Sequence, residues 1–177
     1  AREVFLFECY TGIRISDILT LKWKHITDEK ISIRMRKTEK LLTIPINDYV
    51  RSVLDRRRCA VENNGGKITS EKYVFNILKV DVDEVSAQDA LNAISSATAV
   101  INKQLKKIAE QANIDKNLST HCARHSYATA LLTNNIPLPV IKEMLGHSDI
   151  KVTQIYAKVV DSKRNEVVEC LNKVYHG

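Results

Sequence analysis

Residues 145–156 read Leu-Gly-His-Ser-Asp-Ile-Lys-Val-Thr-Gln-Ile-Tyr. Gly146 can close a helix, because glycine tolerates the left-handed backbone that ends one. His147 follows at once, and Tyr156 comes nine residues later among Val152, Ile155 and Val159. Upstream, Ser119 or Thr120 can cap a helix running to about Thr133, with His121-Cys122-Ala123-Arg124 in its first turn. Asn134-Asn135 ends it, and Pro137 opens a short helix holding Val140, Ile141, Met144 and Leu145. Downstream, Asp149 to Lys158 reads as a helix or helical turn. Ser162 to Val174 reads as a last helix, striped by Val167, Val168, Leu171 and Val174.

The N-terminal part reads as helices around a hairpin. Val4 to Tyr10 is apolar and broken by Thr11-Gly12. A helix from about Arg14 to Leu21 follows, with Ile15, Ile18, Leu19 and Trp23 marking its buried side. Lys30 to Arg36 and Leu41 to Ile46 alternate as strands around the turn Lys37-Thr38-Glu39-Lys40, with one apolar and one basic face. Asp48 to Glu62 is expected to be helical and to stop at Asn63-Asn64-Gly65-Gly66. Tyr73-Val74-Phe75 is a candidate third strand. Residues 78 to 90 read as an acidic, solvated connection, and Ala97 to Ala112 as a striped helix. The expected fold is mainly α with a small antiparallel sheet, in a single domain over residues 1–177.

The 177 residues are 44% hydrophobic and 27% charged, enough for a core. A net charge of +6 suits a polyanionic partner without proving one. No apolar run reaches the ~18 residues of a membrane span. Cys9, Cys59, Cys122 and Cys170 show no C-x-x-C pairing, which points to reduced, mostly buried thiols in a cytosolic protein. The uncapped start predicts a domain cut from a longer chain.

Singly, the polar residues have bland readings. His121 and Arg124 share a helix face, His147 can meet free helix-end carbonyls, and Tyr156 can be a core residue with a wet hydroxyl. Asp17 reads as structural and His125 as internally bonded. Arg56-Arg57-Arg58 reads as a solvated face. Together, two arginines, two histidines, a lysine and a tyrosine are the parts needed to break a phosphodiester with a protein hydroxyl.

The ordered set Thr11-Gly12-Ile13-Arg14, hairpin Lys37, His121-Cys122-Ala123-Arg124-His125-Ser126, Leu145-Gly146-His147 and Tyr156 resembles the tyrosine recombinase, or phage integrase, family, closest to mobile-element integrases. The resemblance runs from about Phe5 to Tyr175. It implies a recombinase catalytic domain whose N-terminal core-binding domain is absent here. Arg14 and Arg124 would hold the non-bridging oxygens of the scissile phosphate with planar guanidinium forks. His121 would assist proton movement, His147 would bond a phosphate oxygen, and Tyr156 would be the nucleophile. Lys37 matches the hairpin general acid, with Lys40 as the rival. The chemistry implied is metal- and ATP-independent, with no cofactor. The partner implied is double-stranded DNA, bound by a homotetramer of the full-length protein in the cytoplasm of a bacterial, phage or mobile-element setting. The fragment itself can be a monomer. Arg34, Arg36, Lys40, Lys103, Lys106 and Lys107 are candidate DNA contacts. Two other functions fit the same fold: a DNA-binding regulator without cleavage, and a type IB topoisomerase-like enzyme.

Overall fold

Apolar spacing in the first ten residues predicts a helix. The computed structural model, which describes residues 1–146, has α1 at Arg2–Thr11, burying Val4 and Phe7. α1 ends because Gly12 turns left-handed at φ 66° and donates its N–H to the Glu8 carbonyl at 2.8 Å. The missing Cβ matters a second time. A Cβ on Gly12 would lie 2.4 Å from Cδ1 of Tyr127, so the tyrosine ring packs directly on this backbone.

α2 is only Ile15–Leu19, shorter than the expected Arg14 to Leu21. Trp23, expected on that helix, begins a 3₁₀ turn, Trp23–His25. The backbone donors explain the break. Trp23 N–H goes to Lys72 carbonyl at 3.0 Å and Lys24 N–H to Ser70 carbonyl at 2.9 Å, so neither is available to continue α2.

The hairpin forms as β1, Lys30–Arg34, against β2, Leu41–Pro45, in an antiparallel pair. Ile31, Ile33, Leu42 and Ile44 are buried, while Ser32 faces Thr43 across the other side at 3.4 Å. β1 stops before Met35 and Arg36, because Met35 N–H instead meets the Lys40 carbonyl at 2.9 Å and closes the loop. α3, Asp48–Asn63, is capped by Asn47 Oδ1, which accepts from Val50 N–H at 2.9 Å.

Two expectations for residues 64–90 need correction. Tyr73-Val74-Phe75 is not a strand: Tyr73 makes one isolated bridge to Lys22, and Val74 N–H donates to the Leu21 carbonyl at 2.8 Å. Nor is the acidic stretch merely solvated. Asp81 and Asp83 both bind the Lys22 ammonium, at 3.0 and 2.7 Å, and Tyr73 Oη donates to Asp81 at 2.8 Å. Lys22 is 4% exposed. Burial works against its charge, yet the Asp83 and Asp81 bonds hold its pKa above the ordinary lysine value.

α4 spans Ala87–Gln111, starting ten residues before the expected Ala97. Ser86 accepts from Asp89 N–H at 3.1 Å, a capping signal hidden in the acidic run. Ile94, Ile101, Leu105 and Ala109 form its buried stripe. α5 is Thr120–Thr133 and α6 is Leu138–Met144, as the caps predict. The expected elements at 149–158 and 162–174 lie outside the described residues. The chain divides into two compact units, residues 1–127 and 128–177. The second holds the end of α5, left-handed Asn135, α6, and buried Leu132, Ile141 and Leu145.

Arg56-Arg57-Arg58 is more than a solvated face. Arg56 and Arg57 meet Glu3 at 3.3 and 3.4 Å, Arg57 lies over Phe75, and Arg58 lies over Trp23. The thiols also differ from expectation: Cys9 and Cys122 are half-buried and Cys59 is exposed. Among the described residues no helix is long and apolar enough to cross a membrane.

Gly12→Ala is expected to destabilise the chain. The left-handed backbone alone costs ~1–2 kcal/mol, which lowers Tm by roughly 2–8 °C for a chain of this size. The clash with Tyr127 adds to that. Gly65 is also left-handed, at φ 71°, but a Cβ there meets nothing within 4 Å. Thermal unfolding should therefore rank Gly12→Ala well below Gly65→Ala; equal melting temperatures would refute the packing account.

Candidate active site

Gly12 turns α1 into α2, and the turn gathers charge. Arg14 caps α2 with extended backbone, and its Nη1 reaches Met35 Sδ at 3.3 Å on the hairpin loop. Arg124, three residues after His121 on α5, donates from Nη1 to the Gly12 carbonyl. Arg124 is thus anchored two residues before Arg14, although 110 positions separate the two arginines in sequence. Arg14 is half-buried and Arg124 is 8% exposed.

Two carboxyls sit beneath them. Asp17, 3% exposed, accepts from Arg36 N–H at 2.9 Å through Oδ1. Burial pushes its pKa up, while the Arg36 N–H and the charges of Arg14, Arg124 and Arg36 pull it down. One carboxylate therefore feels three guanidinium groups. Glu8, 2% exposed, lies on the α1 side. Burial pushes it up to about 8, against the pull of Arg124 and the Ile15 N–H. Glu8 Oε2 and Asp17 Oδ2 have no hydrogen-bond partner among the described residues.

His121 is exposed on α5, and its Nε2 lies 2.7 Å from Nε2 of His125, ring edge to ring face. Burial lowers the His125 pKa, helped by the charges of His121 and Arg124. Lys37 is exposed in the hairpin turn, one residue after the anchored Arg36. Lys40 is exposed two residues after the end of that turn, its carbonyl bonded to Met35. A cleft of about 560 Å³, lined by Trp23, Arg57, Val61, Lys72 and Tyr73 among others, contains none of these residues. Among the described residues no three His, Cys, Asp or Glu side chains gather as metal ligands.

The model of the phage integrase family matches residues 1–163. The chain belongs to the phage integrase family. A tyrosine recombinase XerD from Staphylococcus aureus is 32% identical over 154 residues, covering 86% of this chain and 48% of that protein. The integrase-family chain spans about half the length of such curated relatives. Its fold is similar to the catalytic domain of bacteriophage HP1 integrase, with TM-score 0.57 and 24% identity over 94% of this chain and 79% of the other. It is also similar to the XerH site-specific recombinase bound to difH substrate in a pre-cleavage complex. There the TM-score is 0.62 and identity 23%, over 88% of this chain and 42% of the other.

Within this integrase-family chain, Arg124 is anchored on the Gly12 carbonyl near Arg14, and the charges of Arg14, Arg124 and Arg36 all act on Asp17. His147 and Tyr156 lie outside the described residues. Arg34 is exposed on β1, its Nη1 bonded to the Glu39 carbonyl at 2.7 Å. Lys103, Lys106 and Lys107 stand on the exposed side of α4, and no described hydrogen bond or ion pair ties them to the arginines. The sequence reading missed Glu8, and it read Asp17 as structural without finding its partner. A lone acid inside the apolar run Val4 to Tyr10 was the available signal for Glu8.

Glu8 makes stability depend on pH. Its folded pKa, about 8, lies above the ordinary 4.5, so the folded chain holds an extra proton between those values. The stability this contributes is complete below about 4.5 and is lost as pH rises through about 8. Urea unfolding should find the wild type less stable at about pH 9 than at about pH 6, by on the order of a few kcal/mol. Glu8→Gln should flatten that difference. An identical pH profile in both proteins would exclude Glu8 as its source.

Proposed function

We propose that this chain is the strand-cleaving portion of a site-specific DNA recombinase. The observation that carries the reading is the anchoring of Arg124 on the Gly12 carbonyl, two residues before Arg14, with the charges of both arginines acting on the buried Asp17. Two guanidinium forks at this corner suit a tetrahedral anion with two non-bridging oxygens, such as a backbone phosphate. Family membership supports the same reading, as do relatives described as tyrosine recombinases.

In this mechanism Arg14 and Arg124 bind the non-bridging oxygens of the scissile phosphate and stabilise the charge of the pentacoordinate transition state. The phenol oxygen of Tyr156 attacks phosphorus, and the bond from phosphorus to the 5′ oxygen breaks. His121 assists removal of the phenol proton, and His147 bonds a phosphate oxygen. Lys37 protonates the leaving 5′ oxygen. The products are a 3′-phosphotyrosine and a free 5′-hydroxyl. Religation reverses the step without ATP, because the phosphodiester is exchanged rather than hydrolysed. No metal ion is required. Arg34, Arg36, Lys40, Lys103, Lys106 and Lys107 contact duplex phosphates. The full-length protein exchanges strands as a homotetramer on DNA in the cytoplasm, and the isolated chain is monomeric.

The test is covalent trapping on a duplex nicked beside the scissile phosphate, in buffer with chelator and no nucleotide, using the full-length parent. Wild type should form a protein–DNA adduct on a denaturing gel, and Tyr156→Phe should form none. Arg14→Ala or Arg124→Ala should slow adduct formation by ~100–1,000-fold. Lys37→Ala should slow it more than Lys40→Ala. An adduct from Tyr156→Phe equal to wild type would remove the nucleophile assignment, and a chain that binds its site but never forms an adduct would be a regulator.

A further inference from the structure

His121 and His125 are four apart on α5, so their side chains rise from the same helix face. They meet: Nε2 lies 2.7 Å from Nε2, with ring centroids 4.2 Å apart. His121 is exposed and His125 half-buried, so solvent reaches the pair. Two histidines at this spacing on one helix supply two of the three protein ligands by which helical metalloproteases hold zinc.

We infer that His121 and His125 form a two-imidazole site for a borderline divalent transition-metal ion such as Zn²⁺. The geometry needs little change. With Zn–N bonds of ~2.0–2.1 Å and a tetrahedral angle, the two nitrogens must lie roughly 3.3 Å apart. The observed pair must open by only about half an ångström, within reach of small side-chain rotations at a surface position. At present one imidazole donates a proton to the other through this contact. On binding, the donor ring carries that proton on Nδ1 instead, so both Nε2 lone pairs face the ion and the pair loses no charge. Among the described residues no third His, Cys, Asp or Glu joins the pair, which marks an accessible, exchangeable site rather than a closed structural one. The Arg124 charge acts on His125 and opposes a cation, which keeps binding moderate.

The consequence rests on the proposed recombinase reading. His121 is there the group that helps move the phenol proton, and a metal ion on its Nε2 removes it from that role. Zinc would therefore act as a reversible inhibitor of strand cleavage by a protein that needs no metal.

Calorimetric titration of the whole chain with ZnCl₂, near neutral pH and without DNA or chelator, tests the site directly. Wild type should bind one ion that His121→Gln and His125→Gln each weaken by at least about tenfold, one of two ligands being gone. His25→Gln should bind as wild type does. Cu²⁺ should bind more tightly than Zn²⁺, and Mg²⁺ should give no heat. Circular dichroism checks that the variants fold; because each variant tests the site alone, one folded variant suffices. No zinc binding by wild type, or wild-type affinity in a folded single variant, overturns the site. In the trapping assay zinc should slow the wild type and have much less effect on His125→Gln; equal sensitivity overturns the inhibitory link. Absence of any adduct without zinc would instead reject the recombinase reading, leaving the titration to decide the site.

Discussion

A buried guanidinium must find partners, because an unpaired charge taken out of water costs several kcal/mol. Arg124 is such a group, and the Gly12 carbonyl is one acceptor it finds. That carbonyl is available because α1 has just ended in a left-handed turn. The same turn accepts the Tyr127 ring, one helical turn beyond Arg124, against its bare Cα. Four features meet there: the end of α1, the start of α2, the hairpin loop through Met35 and Arg36, and the first half of α5.

The electrostatics of the corner are a balance with a positive remainder. Arg14, Arg36 and Arg124 face Asp17, and Arg124 also faces Glu8. Glu8 is the weaker counterion near neutral pH, since burial keeps it largely protonated. Three fixed cations against two buried carboxyls leave a site suited to a further negative group. The carboxyls also orient what they oppose: Asp17 holds the Arg36 backbone, and with it the loop that carries Lys37.

Elsewhere the unit depends on long-range polar staples. Lys22 is held by Asp81 and Asp83, some 60 residues on, and Tyr73 joins them. Glu3 is held by Arg56 and Arg57, and Arg57 in turn covers Phe75 and donates to the Val74 carbonyl. These contacts keep the loop between α3 and α4 against the 3₁₀ turn without a third strand.

The helices and the hairpin were legible from sequence because their causes are local. Apolar spacing, Pro137 and the left-handed Gly12 act within one or two turns. The ordered motifs with Arg14 and Arg124 were legible too, and so was the family. What local pattern could not supply was any contact between distant segments. The role of Tyr73, the purpose of Asp81 and Asp83 and the burial of Glu8 were misread or missed for that reason, whereas the early start of α4 rests on a local cap, Ser86, hidden in the acidic run. Sequence alone determined which residues carry charge and which backbone positions must turn. Only the tertiary structure decided that Arg124 donates to the Gly12 carbonyl beside Arg14 and that the charges of both act on the buried Asp17, because burial and long-range hydrogen bonds exist only after the chain has packed.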